Sequence, residues 1–456
     1  MSEQKTVSEA TKQEIESFIT DWLSDNRIPG ASLAIVDNGE TVYAEGFGAR
    51  DLATNAPATA KTRYGVASVT KSFTAMAVLQ LVDAGHVSLD DPITDYVPYY
   101  ENLENPPTVH ELLSHTSGMP SDGASVALIS RLMGGDPVEV PLSSDDDFSR
   151  YVRDSLSERA SGDRFFYYNT GYTVLGKLVK AVDGREFPRY VNEAILDPIG
   201  MDRSILAPDD FEALDNTMTP YREEDDDRVE ATFPVKGVGA AGGLVSSVTD
   251  LGTYLSFHLD PDEAVLDPTL VAKAKDKHAV RQTYLDGTSQ HYGYGWMRRP
   301  LLGSDVIEHG GSLGVSTAYL GYLEDTEIGV ALACNDSPET HPQYVGPAIL
   351  AILEDNDPAS VTRYYGLKAK AERVSGDYES YHGIRTATVE PNGGTLEISL
   401  ETALGEQTIT AMPETTDHDD LTYYTVTGNS ARVPVEFEET DDGFDLYYQR
   451  WRMHQQ

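Results

Sequence analysis

The stretch Tyr64-Gly-Val-Ala-Ser-Val-Thr-Lys71 sets Ser68 and Lys71 three residues apart, directly ahead of an apolar run. That run (Phe73, Met76, Ala77, Val78, Leu79 and Leu81, ending near Gly85) predicts a helix. Residues i and i+3 of a helix share a face, with Cβ atoms about 5–6 Å apart, so the lysine amine can reach the serine hydroxyl. Serine is a weak nucleophile unless a base lies within hydrogen-bond reach. The positive end of a helix dipole would also favour an alkoxide developing on Ser68. Ser-x-x-Lys by itself is common, and the plainer reading is a serine-capped helix start with an exposed lysine. The rest of the chain has to decide.

At 456 residues the chain exceeds one compact core and predicts two or three domains. Hydrophobic residues make up 40% and aromatic residues 9%, enough for packed globular structure rather than disorder. No run of about 18 apolar residues occurs, so no membrane span is expected. The polar, amphipathic start lacks a signal-peptide core, which predicts a cytoplasmic location. Cys334 is the single cysteine, within the apolar run Val330-Ala-Leu-Ala-Cys334; it rules out an intrachain disulfide and reads as a small buried hydrophobe.

The net charge of −41 excludes nucleic-acid binding, which needs a basic footprint. The acids are spread along the chain, with dense runs at Asp145–Asp147, Glu223–Asp227 and Glu436–Asp442, rather than gathered in one tail. Self-repulsion on this scale strains a compact state, and salt screens it. A salt-requiring protein of the kind found in the cytoplasm of halophiles is the expectation.

In chain order, Ile15, Phe18, Ile19, Trp22 and Leu23 mark a one-sided helix over 8–25, stopped by Pro29-Gly30. Two β-rich runs follow, Ala31–Asp37 and Glu40–Gly46, joined by Asn38-Gly39, a type I′ hairpin signal. A short helix is expected at Thr108–Leu113, ahead of Ser114-His-Thr-Ser-Gly-Met-Pro120, where His115 reads as a residue that fixes the loop by hydrogen bonds. Residues 121–163, long and rich in Gly, Ser and Asp, resemble a lid or substrate-shaping insertion. A helix is expected after Asn169, which reads as its N-cap, with others near 186–202, 248–259 and 343–353. From 292 the pattern turns to strands: Tyr292–Trp296, Val306–His309, Val315–Leu323 and Ile328–Asn335. Beyond a charged, helix-prone boundary the chain reads as strands and turns throughout, at Ile384–Val389, Gly393–Leu400, Glu406–Met412, Leu421–Val426, Val433–Phe437 and Phe444–Trp451.

Three clusters of chemical interest fall in one order: Ser68/Lys71, Tyr167/Asn169, and His309-Gly310-Gly311. Ser68 fits a nucleophile. Lys71 fits its base, together with Tyr167, whose phenol could shuttle a proton to the leaving group. Asn169 could hold a substrate amide, and the glycines after His309 allow close approach of a substrate backbone. The N–H groups of Ser68 and Ser312 would form an oxyanion hole. Singly, each residue has a structural explanation; in this order the catalytic reading is stronger.

With these motifs, the sequence resembles the serine β-lactamase/penicillin-binding-protein-like hydrolases, in particular their β-lactamase-related peptidase and esterase branch. Ser-x-x-Lys is the hallmark of that superfamily. Tyr167-Tyr-Asn169 matches its Tyr-x-Asn, and His309-Gly-Gly311 its His-x-Gly. Leu112-Leu-Ser-His-Thr-Ser-Gly118, Asp197-Pro-Ile-Gly-Met201 and Ala241-Gly-Gly-Leu244 also look like the family. The resemblance implies an α+β fold over residues 8–354, an antiparallel sheet flanked by helices plus an all-helical subdomain at roughly 85–240, with the Ser68 helix between them. It implies catalytic roles for Ser68, Lys71, Tyr167 and His309, and substrate contacts from Asn169, Gly310, Gly311 and Ser312. A linker helix at 355–372 would lead to residues 373–456, which are similar to the lipocalin-like barrel domain appended to some of these peptidases. A homo-oligomer through that domain is a further expectation.

His309 stands where a β-lactamase would usually carry lysine. Histidine is mostly neutral near pH 7, which disfavours recognition of a β-lactam carboxylate. The general-base glutamate of class A β-lactamases has no counterpart here. The expected function is a peptidase acting on small peptides through an acyl-enzyme, with a carboxylesterase or a non-catalytic binding relative as alternatives. No cofactor motif is visible, and scattered histidines without His-Glu-x-x-His argue against a metal. Gly310-Gly-Ser312-Leu-Gly314 spells a nucleophile elbow, but that motif needs a helix after it, and a strand is expected there.

Overall fold

The structure, a computed structural model, describes residues 7–101, 103–119, 164–208, 211, 213–225, 227–233, 239–402 and 405–456. The predicted insertion at 121–163 lies outside the described residues. The chain divides into two units, one of residues 1–282 and 289–353, the other of residues 283–288 and 354–456.

The first unit is built on a nine-stranded sheet in the order β3-β2-β1-β14-β13-β12-β11-β10-β9. Its strands are β1 (Gly30–Asp37), β2 (Glu40–Asp51), β3 (Ala56–Pro57), β9 (Ala279–Thr283), β10 (Ser289–Tyr292), β11 (Met297–Leu301), β12 (Ser304–Ser312), β13 (Thr317–Leu323) and β14 (Ile328–Cys334). Of the short strands between, β4 (Tyr64–Gly65), β5 (Ile205–Leu206) and β8 (Leu244–Ser246) form a small sheet of their own, and β6 (Tyr221–Glu224) pairs with β7 (Asp227–Glu230). The first hairpin is antiparallel and turns at Asn38 and Gly39, both with positive φ (50° and 78°), as a type I′ turn requires.

β1 is buried along its whole length because the sheet is covered on both sides. Leu33 and Ile35 pack in one cluster with Ile15, Ile19 and Trp22 of helix α1 (Glu9–Asp25) and Val345 and Ile349 of the helix Pro342–Leu353. Ala34 and Val36 face the opposite cluster, with Leu251 and Leu255 of the helix Val248–Leu259. Successive side chains of a strand point to opposite faces, so a strand covered on both sides reads as a continuous apolar run.

Helix α2 (Thr70–Asp83) is buried nearly all round, from Thr70 through Leu79 and at Leu81. A helix apolar on every side belongs in a core. Phe73 stacks on Tyr254 at 3.8 Å, and each such fully buried side chain contributes roughly 1.5–3 kcal/mol. The helix Asn169–Asp183 also packs on α2, alongside the Gly239–Gly242 and Pro268–Ala274 helices.

The second unit holds the helices Pro358–Val361 and Arg363–Arg373 and a closed eight-stranded antiparallel barrel, β15 to β22. Its core alternates along the strands, with Leu396, Ile398 and Leu400 inward on β17 (Thr395–Thr402). Two of its strands escape the sequence reading. β15 (Gly376–Glu379) buries only Tyr378 and so gives no alternation to detect. The run Phe444–Trp451 is two strands, β21 (Gly443–Tyr448) and β22 (Trp451–Gln455), separated at Gln449 by a positive φ of 54° that only geometry reveals. Closure of β15 onto β22 removes both free edges.

In the first unit, Tyr292–Trp296 is a turn rather than the expected strand. β10 ends at Tyr292, Gly295 has a left-handed φ of 73°, and Met297 starts β11. A Cβ at Gly295 would lie 2.6 Å from the Lys71 carbonyl oxygen and the Ser72 backbone, so the turn lets β10–β11 press onto the start of α2.

Candidate active site

Ser68 lies in a single 3₁₀ turn, Ala67–Val69, that runs straight into α2. Ala67 is held at a left-handed φ of 50°. The Thr70 hydroxyl anchors this turn, donating to the Ala67 carbonyl at 2.6 Å and accepting from the Leu244 N–H at 3.0 Å. Strain of this kind, of order 1–3 kcal/mol, persists only where the surroundings over-determine the backbone.

Lys71 is fully buried. Its Nζ lies 3.0 Å from Ser68 Oγ and 2.7 Å from the Ala241 carbonyl oxygen. Among the described residues no carboxylate pairs with it, and burial alone pushes its pKa well below the usual lysine range. Its nitrogen also sits 4.8 Å from the centre of the Tyr167 ring, close enough for the ring face to interact with a charged amine. Tyr167 is shifted the other way: burial raises its pKa above the usual phenol range, and a hydrogen bond with Ser68 only partly offsets this. The two groups that flank the Ser68 hydroxyl are therefore pushed toward their uncharged forms, an amine with a free lone pair and a phenol that keeps its proton.

His309 is buried near the end of β12. Its Nδ1 lies 2.6 Å from the Gly310 carbonyl oxygen, which can only accept, so Nδ1 carries the proton. Nε2 then accepts from the Tyr292 hydroxyl at 3.1 Å. Burial, followed by the nearby Lys71 charge, pushes its pKa down to about 3, so this imidazole is neutral across the physiological range. Next to it, the buried Glu308 is satisfied by Arg299 Nε at 2.6 Å and by the Tyr319 hydroxyl at 3.1 Å.

The two glycines after His309 face opposite sides. A Cβ on Gly311 would lie 2.8 Å from the Ser68 nitrogen and 2.9 Å from Ala67 Cβ, so glycine here lets β12 rest on the Ser68 turn. A Cβ on Gly310 would meet only Gln343 and His341 side chains, no nearer than 3.3 Å. Ser312 ends the strand and is exposed, its hydroxyl 3.4 Å from that of Ser337. From Ser312 the chain makes a tight turn, Leu313 N–H to Ser316 carbonyl at 3.0 Å, into strand β13; no helix follows, so the elbow reading of Gly310–Gly314 is excluded.

Ser68, Lys71, Tyr167, His309 and Gly311 thus lie together, drawn from the 3₁₀ turn and the start of α2, the approach to the helix Asn169–Asp183, and β12. Asn169 opens its helix as its first residue and is half-buried; the cap position expected for it belongs to Tyr168, which makes no side-chain cap bond and whose own N–H donates to His115 Nδ1. Four participants were not legible in the sequence. Tyr292 holds His309 from the end of β10, across the intervening β11. The Ala241 carbonyl receives Lys71. His341 donates to the Gly311 backbone and is itself held at a pKa of about 4 by burial. Arg281 on β9, bonded to Gln290 at 2.5 Å, adds positive potential at Tyr167, Tyr292, His115 and His309. Tyr292 and Arg281 depend on strand order across the sheet, and Ala241 and His341 on tertiary approach of other segments; no local pattern encodes either. Away from this cluster, Asp417, His418 and Asp419 bring donor atoms within 4.8 Å of one another in the barrel unit, the two aspartates exposed and of a kind common without an ion.

With this geometry in hand, comparison with known proteins places the chain. The sequence profile of the beta-lactamase family matches residues 9–354, and the chain belongs to that family. A second profile, the Pab87 octamerisation domain, matches residues 358–454. The solved structure of the octameric penicillin-binding protein homologue from Pyrococcus abyssi is similar over 97% of this chain and 99% of that one, at 34% identity and a TM-score of 0.90. Among curated proteins, the D-aminopeptidase of Brucella anthropi is 30% identical over 304 residues, 66% of this chain and 54% of that protein. Protein flp of Staphylococcus aureus is 24% identical over 346 residues, 74% of this chain and 65% of flp. The chain therefore spans less than two thirds of the length of these two relatives.

Proposed function

We propose that the chain is a serine hydrolase that cleaves amide bonds of small peptides through an acyl-enzyme on Ser68. The observation that carries this is a buried Lys71 amine, without a carboxylate partner among the described residues, 3.0 Å from the Ser68 hydroxyl. The neutral amine accepts the Ser68 proton as Oγ attacks the substrate carbonyl carbon, forming the C–O bond and a tetrahedral oxyanion. The N–H groups of Ser68 and Ser312 receive that oxyanion. As the C–N bond breaks, Tyr167 gives its proton to the leaving nitrogen and is reprotonated from the Lys71 ammonium. Water then attacks the ester, losing its proton to Lys71, and Ser68 leaves with a proton restored to Oγ. The opposed pKa directions of Lys71 and Tyr167 favour this division between base and acid.

His309, neutral and with both nitrogens engaged, serves as a shaped wall with Tyr292 rather than a cation, while Asn169 and Gly311 line the path of the substrate backbone and Gly310 faces away, toward Gln343 and His341. Action on amides rather than esters is favoured by the similarity to a D-aminopeptidase. The barrel unit, by its match to an octamerisation domain and the octameric relative, is assigned to self-assembly. Light scattering on the full chain should then give a mass near eight times 49.9 kDa; a monomer would refute the assembly.

The chemistry is tested by intact-protein mass spectrometry in high salt after exposure to a fluorophosphonate or a penicillin, followed by turnover of D- and L-aminoacyl anilides against matched esters. A Ser68 adduct, lost in Ser68→Ala, and anilide turnover are expected. Folded protein that forms no adduct, or that cleaves only esters, would overturn the peptidase assignment.

A further inference from the structure

His115 is not part of the chemistry proposed above, yet it is fully buried against it. The short helix Val109–Leu113 carries a capping box between Thr108 and Glu111 and ends at Ser114. His115 follows with a left-handed φ of 59°. The residue after a helix end is commonly left-handed, and glycine takes that position without strain. A histidine there costs free energy that its side chain or its neighbours must offset.

The contacts identify what is gained. The His115 carbonyl accepts the Phe166 N–H at 2.9 Å, and His115 Nδ1 accepts the Tyr168 N–H at 3.1 Å. One residue thus receives the backbone donors on both sides of Tyr167. The imidazole ring also lies against the Tyr167 ring, with centroids 4.4 Å apart and planes tilted by 40°, and against Tyr292 at 4.7 Å and Tyr172 at 5.1 Å. Because Nδ1 accepts from a backbone N–H, the neutral ring carries its proton on Nε2.

We propose that His115 is a positioning residue for Tyr167: its carbonyl and its Nδ1 bracket the Tyr167 backbone while its ring packs on the phenol, holding the hydroxyl at the nucleophile. The capping box of the preceding helix and the bond from the Thr116 N–H to the Glu111 carbonyl, at 2.9 Å, fix His115 in turn. The carbonyl bracket survives substitution of the side chain; the Nδ1 bracket and the ring contact do not. Asparagine tolerates the left-handed backbone and offers Oδ1 as acceptor, so it should restore part of what alanine loses.

This inference rests on Tyr167 acting in proton transfer, and a double-mutant cycle separates the two. The acylation rate constant and KM are measured for His115→Ala, His115→Asn, Tyr167→Phe and the His115→Ala/Tyr167→Phe pair, with circular dichroism confirming that each is folded. Displacement of a catalytic group by about 1 Å can cost up to ~10²-fold, so His115→Ala should slow acylation roughly 10–100-fold with KM changed less than about threefold. His115→Asn should recover part of that loss. The paired variant should be no slower than Tyr167→Phe alone, since His115 acts through that residue. Losses that multiply, or His115→Ala as fast as wild type while Tyr167→Phe is slow, would overturn the positioning role alone. Tyr167→Phe as fast as wild type would overturn the proton-transfer assignment and the catalytic value of the bracket with it. Should His115→Ala fail to fold, His115→Asn carries the same cycle, and equal losses from Asn and from Tyr167→Phe would count against the role of Nδ1.

Discussion

Gly311→Ala should disable the site while leaving the fold intact. The added methyl would sit 2.8 Å from the Ser68 nitrogen and 2.9 Å from Ala67 Cβ, and nearer still to the Val66 carbonyl oxygen. Two of these three are backbone atoms at the Ser68 turn and the residue that leads into it, so no side-chain rotation relieves the clash. Reaching ordinary contact with the Ser68 nitrogen alone requires β12 and the turn to part by about 0.6 Å. That movement separates the Ser68 and Ser312 N–H groups proposed to share the oxyanion, and misplacing one such donor costs roughly 10²–10³-fold in kcat. The stability cost of overpacking is about 1–3 kcal/mol, within what a domain of this size tolerates. Gly310→Ala is the control, since its methyl would face the opposite side with nothing nearer than 3.3 Å. The assay is the rate of Ser68 labelling by a fluorophosphonate, followed by mass spectrometry, beside thermal melts. Labelling by a folded Gly311→Ala protein within about threefold of wild type, or equal losses in both variants, would refute the proposed contact.

Three further outcomes follow from the charges. kcat/KM should rise with pH through an ionisation below the usual lysine range, reporting loss of the Lys71 proton, and should stay high beyond the ordinary phenol range because Tyr167 keeps its proton; a pH–rate profile checks both limbs. His309 and His341, held at about 3 and about 4 in the fold, bind protons more readily when unfolded, near ~6.5. Their contribution to stability is therefore complete above about pH 6.5 and is lost as pH falls toward 4 and 3, measurable by urea titrations at several pH values. The net charge of −41 should make the melting temperature climb by several degrees between about 0.1 M and 1 M KCl, as the screening length shrinks from ~10 Å to ~3 Å. A melting temperature indifferent to salt would remove the halophilic expectation.

Much of this was legible in the sequence because it is local. The Asn38-Gly39 turn, the helix after Lys71 and the amphipathic α1 each declare themselves within a dozen residues. The Ser68–Lys71 contact is local as well, set where the 3₁₀ turn runs into α2. What stayed hidden is set by tertiary approach. Tyr292-Gly-Tyr-Gly-Trp296 reads as a strand by composition, yet Gly295 must turn there to clear the Lys71 carbonyl. Asn169 looks like a cap, but the helix starts one residue earlier than that reading places it, and the backbone before it is held by His115, more than fifty residues earlier. The roles of Tyr292 and Arg281 depend on which strands lie side by side, and strand order is not written in any one strand.

The burial of Lys71 has a consequence for the whole molecule. A buried amine with no counter-ion among the described residues is easier to protonate once the chain opens, so between its depressed pKa and about 10.4 the unfolded state gains a proton that the native state gives up. Over that range the pocket works against folding, and the scaffold around it must be stable enough to hold the residue there. Catalytic readiness and conformational stability are therefore in opposition at this one nitrogen, and a variant selected only for thermal endurance would tend to lose the lysine first.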